Sequence, residues 1–244
     1  TIDERMAFDE TAKRRGVKLP VHIAVDTGMG RGGFLQDGIA ENVARMEELP
    51  SLDIEGIASH LSSADEDEAF TRLQIASFED TVRKLGGAQR FRWRHLSNSA
   101  GILGYPQGCC NLTRPGLMLY GISPLPGHQE NISNVMTLKS RVTLARMVPA
   151  GHGISYGRSF VTEKPSKIAT VGIGYGDGYP RHVSGKGAYA FIRGKRHPIV
   201  GRVTMDQIVV VLPDDSDVCS GDEAELFGPN IPAAEVASLA DTIV

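Results

Sequence analysis

The sequence predicts two architectures in one chain, an α/β segment followed by an all-β domain. Three observations predict this. Strand-like and helix-like segments alternate between residues 20 and 119, the mark of βαβ units and a parallel sheet. A turn-rich stretch, SPLPGHQEN (123–131), interrupts that alternation. Beyond it, strand-like runs follow one another with Gly and Pro between them. The expected domains are therefore 1–124 and 132–244.

Each element follows from local pattern. Residues 2–15 (IDERMAFDETAKRR) read as a polar helix that stops at Gly16. Residues 20–26 (PVHIAVD) read as the first strand, followed by a glycine-rich turn and a helix near 37–48. Residues 53–60 (DIEGIASH) are the second strand. The acidic run DEDEAF then suits a helix N-terminus, and that helix reaches Leu85. Residues 90–97 (RFRWRHLS) form the third strand, 98–104 a short helix, and a fourth strand is expected near 110–119. In the second half, strands are expected at 135–148, 167–174, 188–193, 197–203, 206–212 and 222–227. Only 232–241 reads as a helix, and it begins at Pro232, a residue suited to a first helical turn.

Composition narrows the function classes. The 244 residues carry 26 Lys+Arg against 29 Asp+Glu, without the basic excess that phosphate backbones attract, so no nucleic-acid partner is expected. No run approaches the ~18 apolar residues of a membrane span, and no membrane partner is expected. Cys109, Cys110 and Cys219 cannot build a disulfide framework, which points to a reducing, cytoplasmic setting. No metal-ligand spacing stands out, and no metal is expected.

Two short motifs invite readings of their own. Gly28-Met29-Gly30-Arg31-Gly32-Gly33 matches G-x-G-x-x-G after a strand, with Asp53 about 20 residues on. A dinucleotide turn should run straight into a helix, whereas Phe34-Leu35-Gln36-Asp37-Gly38 intervenes. A ligand-free turn and a site that uses Arg31 remain open beside it. Gly153-Ile154-Ser155-Tyr156-Gly157 matches G-x-S-x-G, with Asp177 and His182 following. No helical pattern follows Ser155, as a nucleophile elbow requires.

A broader constellation carries more chemistry. Successive strand ends deliver Asp26-Thr27 with Arg31, then His60, then His95-Leu96-Ser97-Asn98-Ser99, then Arg114-Pro115-Gly116. In parallel α/β folds the C-terminal strand ends form the ligand site. A lone histidine or arginine is usually a packing or surface residue; four strand ends in succession are harder to explain that way. The second half adds Tyr156, Tyr175 and Met205-Asp206.

At these residues the sequence resembles the alanine racemases, pyridoxal-phosphate enzymes of fold type III. The matching runs are VHIAVDTGMGRGGF (21–34), HLSNSAGIL (95–103), TRPGLMLYGISP (113–124), GISYG (153–157), IGYGDGYPR (173–181) and VGRVTMDQ (200–207). The resemblance implies the C-terminal half of a TIM-like (α/β)8 barrel followed by a β domain. It implies pyridoxal 5′-phosphate as cofactor, L- and D-alanine as substrates, D-alanine supply to cell-wall peptidoglycan, and a head-to-tail homodimer with shared active sites. Tyr156 would be the base at Cα, with His95 linking it to Arg114 and Arg114 facing the pyridine nitrogen. His60 would pack near the ring, and Asn98, Ser99, Gly116 and Leu117 would surround the phosphate. Arg31 and Met205 would meet the substrate carboxylate, while Tyr175, Met205 and Asp206 would shape the entry.

Three departures qualify the resemblance. None of the eight lysines (13, 18, 84, 139, 164, 167, 186, 195) stands in the KANAYGHG-like context of the family's Schiff-base lysine. The family's terminal segment, with another tyrosine, has no counterpart here. Ala24 stands where many members carry a lysine that supports the arginine matching Arg31. The expectation is a fragment of an active racemase, inactive by itself. A non-catalytic cofactor-binding module, and a relative acting on serine, lysine or arginine, are the alternatives.

Overall fold

The computed structural model describes residues 2–106 and 108–244. The chain divides into two compact units, one running up to Ser133 and the other from Asn134.

The first unit is α/β. It opens with α1 (Ile2–Arg14), β1 (Leu19–Asp26), the two-residue β2 (Phe34–Leu35) and α2 (Ile39–Glu47). Next come β3 (Leu52–Ala58), α3 (Glu68–Lys84), β4 (Trp93–His95) and α4 (Ser99–Gly104). The strands form one parallel sheet in the order β2-β1-β3-β4. One face is covered by helices. α2 places Ile39, Val43 and Met46 on a single stripe, and α3 does the same with Thr71, Gln74, Phe78 and Thr81. Ile39, Val43, Met46 and Phe78 share one apolar cluster with Ile23, Val25 and Ile57 of the sheet. Asp67 starts α3 by accepting the Phe70 amide at 2.9 Å, and Asn98 starts α4 through the Gly101 amide at 3.0 Å.

The opposite sheet face is set by register. His22 and Ala24 lie level with Gly56 and Ala58, and these with Trp93 and His95. Three of those six residues are Gly or Ala, so this face has room above its centre.

The expected strand at 110–119 is not there. Leu112 makes one bridge to His95, and Leu117–Tyr120 is a turn of 3-10 helix. Pro115 has no N–H for a ladder. Asn111 closes the edge of β4 instead, accepting the Arg94 amide and donating to the Arg92 carbonyl, both at 2.8 Å. The sheet still has four strands, because Phe34–Leu35, expected as loop, pairs with Val25 and Asp26. β4 is also shorter than 90–97, since Ala88–Arg90 coils into a 3-10 turn.

The second unit is a closed antiparallel barrel. Its elements are β5 (Leu138–Val148), β6 (Gly153–Ile154), β7 (Phe160–Val161), β8 (Ser166–Val171), β9 (Tyr189–Ile192), β10 (Lys195–Val200), β11 (Ile208–Leu212), β12 (Glu223–Phe227) and α5 (Ala233–Leu239). The ring order is β10-β11-β8-β5-β12-β9, with β9 returning to β10. β6 and β7 form a small hairpin, which the sequence pattern did not suggest. Inward positions alternate along β11, where Ile208, Val210 and Leu212 are buried, and the interior is filled by residues such as Ala169, Val171, Ile192 and Leu226. Closure leaves the ring without a free edge.

Phe78 is wholly buried between α3 and the parallel sheet. Phe78→Ala is expected to lower the unfolding free energy by about 3–5 kcal/mol, measured by urea titration.

Candidate active site

The parallel sheet brings the C-terminal ends of β1, β3 and β4 to one edge. There a cavity of about 430 Å³ is lined by Arg31, Ser59, His60, His95 and Arg114, with Ala24 and Ala58 at its floor. Four expected site residues from three strand ends and the segment after α4 thus share one cavity.

Arg114 organises it. Its Nη2 donates to the Ser59 carbonyl at 2.6 Å, the Leu96 carbonyl at 3.4 Å and His60 Nδ1 at 3.2 Å. Its Nη1 donates to His95 Nδ1. The guanidinium has donors only, so both histidine nitrogens must be acceptors and unprotonated. The electrostatics agree. Burial, then Arg114, then His22, push the His95 pKa down to about 4. Burial, Arg114 and Arg31 lower that of His60. Both rings are neutral at physiological pH.

The other nitrogen of His95 faces His22 of β1, with Nε2 and His22 Nδ1 2.7 Å apart. The Arg114 half of the expected His95 linkage is therefore present, while the second ring nitrogen is engaged by His22.

Around α4, Ser99 Oγ accepts the amides of Gly116 (3.0 Å) and Met118 (3.2 Å). Its own proton remains available to an anion. Asn98 is occupied at both ends, accepting from Gly101 and donating to the Leu61 carbonyl at 3.1 Å. Leu117 starts the 3-10 turn that follows Gly116. Gln74, buried in α3, ties the loops together. It donates to the His60 carbonyl (3.2 Å) and Thr27 Oγ1 (3.4 Å), and it accepts the Ser62 amide (3.0 Å).

The glycine-rich turn is not a dinucleotide site. Asp26 accepts the amides of Gly28 (2.9 Å), Met29 (3.0 Å) and Gly30 (3.1 Å), the donors a pyrophosphate would need. These bonds hold the Asp26 carboxyl below the usual carboxylate range. Asp53 lies near the opposite, N-terminal end of β3. Because Asp26 is spent on the turn, it leaves the exposed Arg31 guanidinium open to another carboxylate.

In the second unit, backbone bonds hold the Tyr175 turn against the segment that carries Met205 and Asp206. The amides of Tyr175 and Gly176 donate to the carbonyls of Thr204 (3.0 Å) and Met205 (2.8 Å). Gly174 permits this approach, because a Cβ there would sit 2.3 Å from the Thr204 and Met205 oxygens. Ser155 Oγ donates to the Arg202 carbonyl at 2.6 Å, tying the Tyr156 turn to the same segment. That bond also answers the nucleophile-elbow reading: the hydroxyl proton goes to a carbonyl, and a 3-10 turn follows rather than a helix. Tyr156 is 69 % exposed, Met205 56 % and Tyr175 47 %.

His22, Gly56, Ser59 and Gln74 were not anticipated from the sequence. The usable signal was strand parity: His22 shares a face with Ala24, so it does not belong to the apolar packing side.

Comparison with known proteins covers the whole chain. The family model "Alanine racemase, N-terminal domain" matches residues 2–124, and "Alanine racemase, C-terminal domain" matches 135–244. The chain belongs to the alanine racemase family. Alanine racemase of Symbiobacterium thermophilum is 40 % identical over 245 residues, covering 97 % of this chain and 65 % of the relative. That of Geobacter sp. (strain M21) is 41 % identical over 259 residues, covering 100 % and 68 %. Among solved alanine racemases, the Clostridium difficile 630 structure has a TM-score of 0.91 at 33 % identity, covering 100 % of this chain and 65 % of that one. The Bartonella henselae structure, with covalently bound pyridoxal phosphate, has a TM-score of 0.87 at 30 % identity, covering 100 % and 67 %. The chain thus spans about two thirds of the length of the alanine racemases it matches.

His95 has a folded pKa below its unfolded value of about 6.5. The unfolded chain therefore binds an extra proton between pH 6.5 and about 4, and stability is lost as pH falls through that window. Thermal unfolding followed from pH 7 to 4 should show the loss, and His95→Gln should flatten that part of the profile.

Proposed function

We propose that this chain forms the cofactor cavity and β domain of a cytoplasmic alanine racemase. The enzyme interconverts L- and D-alanine with pyridoxal 5′-phosphate and supplies D-alanine for cell-wall peptidoglycan. The observation that carries this reading is the Arg114 guanidinium, clamped by Ser59, His60 and His95 in a cavity that also holds Arg31.

The residues fit the cofactor. A cavity of this size accepts a substituted pyridine. Ser99 has a proton to give a phosphate oxygen, and Gly116 and Leu117 lie beside it. Arg114 would face the pyridine nitrogen. When bound, the cofactor supplies an electron sink that acidifies the Cα proton of an amino acid.

The chain's own groups do the rest. Arg114 has pKa well above the pyridine's and does not surrender its proton to it. This would restrain the sink and favour proton transfer over decarboxylation. Arg31, unclaimed by Asp26, holds the substrate carboxylate. His60 would pack near the ring. Tyr156 from the β domain of a second copy would exchange the Cα proton on one face, and Tyr175, Met205 and Asp206 of that domain would narrow the approach. A second proton carrier must work on the opposite face. None of the eight lysines lines the cavity, and in this reading the carrier is the family's Schiff-base lysine, which these 244 residues do not supply.

Two features support the assembly. On its outer side β1 pairs with β2 only at Val25 and Asp26, which suits a sheet continuing into a TIM-like (α/β)8 barrel. The exposed Tyr156, Tyr175 and Met205 suit a β domain that completes a partner subunit's active site in a head-to-tail homodimer. The free cysteines suit the cytoplasm.

The test joins this chain behind the amino-terminal third of the Symbiobacterium thermophilum relative. With pyridoxal phosphate, the joined protein is expected to convert L-alanine to D-alanine, and Tyr156→Phe to lower kcat by ~10²-fold or more. A cofactor-loaded protein that racemises no amino acid, or prefers serine, lysine or arginine, would overturn the assignment.

A further inference from the structure

We propose that Cys109 and Cys110 form a dithiol site that captures a monosubstituted trivalent arsenical, both sulfurs bonding to one arsenic atom. The pair lies between two of the runs that carry the family resemblance, 95–103 and 113–124. No step of the racemase reading uses it, and the inference does not rest on that reading.

The two sulfurs are already together. Adjacent residues on an extended strand point to opposite faces. These two sit at the end of a turn, and their Sγ atoms are 3.8 Å apart and share a hydrogen bond. One residue holds the backbone on both sides of the pair. Arg94 Nε donates to the Cys109 carbonyl at 2.6 Å, and the Asn111 amide donates to the Arg94 carbonyl at 3.0 Å. Arg94 is itself fixed, its Nη1 donating to the carbonyls of Ala88 (2.8 Å) and Phe91 (2.5 Å). Both cysteines are half-buried against the apolar cluster that holds Phe78 and Phe91, and solvent still reaches them.

Two ordinary fates of a cysteine pair do not suit this geometry. A disulfide usually asks for Cα atoms about 4.4–6.8 Å apart, whereas a trans peptide sets neighbours about 3.8 Å apart. The described residues include no cis peptide, so a bridge here is strained and easily reduced. A structural zinc asks for four ligands. Among the described residues no group of three His, Cys, Asp or Glu could hold a metal ion. A centre that brings its own third substituent needs only the two thiols. Two bonds of about 2.3 Å, the length of a zinc–thiolate bond, span the 3.8 Å gap at roughly the tetrahedral angle. The pyramidal angle of trivalent arsenic closes that gap slightly.

The two thiols differ in reactivity. The hydrogen bond from Cys110 lowers the Cys109 pKa, with Arg94 assisting and burial and Glu79 opposing. The same bond, with burial, raises that of Cys110. Cys109 is therefore the first nucleophile, and Cys110 closes the ring within the molecule. The arsenic–oxygen double bond is exchanged for two arsenic–sulfur bonds. The oxygen leaves as water carrying both thiol protons, arsenic stays trivalent, and nothing is oxidised.

Titration of the reduced chain with phenylarsine oxide tests the site, read by intact mass and by thiol count. The expected adduct adds one arsenical less one water, and the free thiols fall from three to one, Cys219 remaining. The second bond is intramolecular, so Cys109→Ser and Cys110→Ser should each weaken binding ~10²-fold or more. Cys219→Ser should leave it unchanged. Excess mercaptoethanol should leave the wild-type adduct in place, and dimercaptopropanol should remove it. Equal affinity in wild type and Cys110→Ser would overturn the proposal, because one sulfur would then suffice. So would loss of the wild-type adduct to mercaptoethanol, a reading that needs no variant to fold.

Discussion

A guanidinium that can only donate, enclosed among carbonyl oxygens and ring nitrogens that accept from it, is the constraint on which the first unit's site depends. Arg114 reaches Ser59 after β3 and Leu96 after β4, and it meets two imidazoles on the way. Each contact removes a degree of freedom from a loop that would otherwise move. It also decides the charge of its neighbours, because a histidine that accepts from arginine must be neutral. The cavity is therefore cationic at the clamped Arg114 and at the exposed Arg31, and uncharged at its histidines.

Much of this was legible in the sequence, and the reason is local. The strands at 20–26 and 53–60 and the helix ending at Leu85 obey clean periodicity, and their observed limits differ by a residue or two. The candidate residues at the strand ends were found because a parallel sheet puts all such ends on one side. What escaped notice depends on cross-strand geometry. The 110–119 segment has strand-like composition, yet Pro115 and the Asn111 side chain end pairing after one bridge. Phe34–Leu35 pairs only because β1 offers it two residues. His22 and Gly56 carry no motif. Their relation appears only when a register shift aligns them.

The two regular expressions fail for a related reason. Asp26, one residue outside the glycine pattern, consumes the amides that the pattern would offer. Ser155 matches a nucleophile by spelling, and its hydroxyl serves to anchor the turn that bears Tyr156. In each case the residue that decides the chemistry is not written into the motif. The longer resemblance succeeded because it sampled many positions in order across both units.

The ring of the second unit has a consequence for how the chain acquires its shape. β5 pairs with β8 on one side and β12 on the other. Its partner Glu223 lies about eighty residues from Arg141. The ladder cannot close until that distant strand is made, and distant pairings form slowly because the intervening loop must first be ordered. Until then β5 and β9 present unpaired backbone to their surroundings. The same closure that removes every edge from the finished barrel makes its assembly the step most exposed to misassociation.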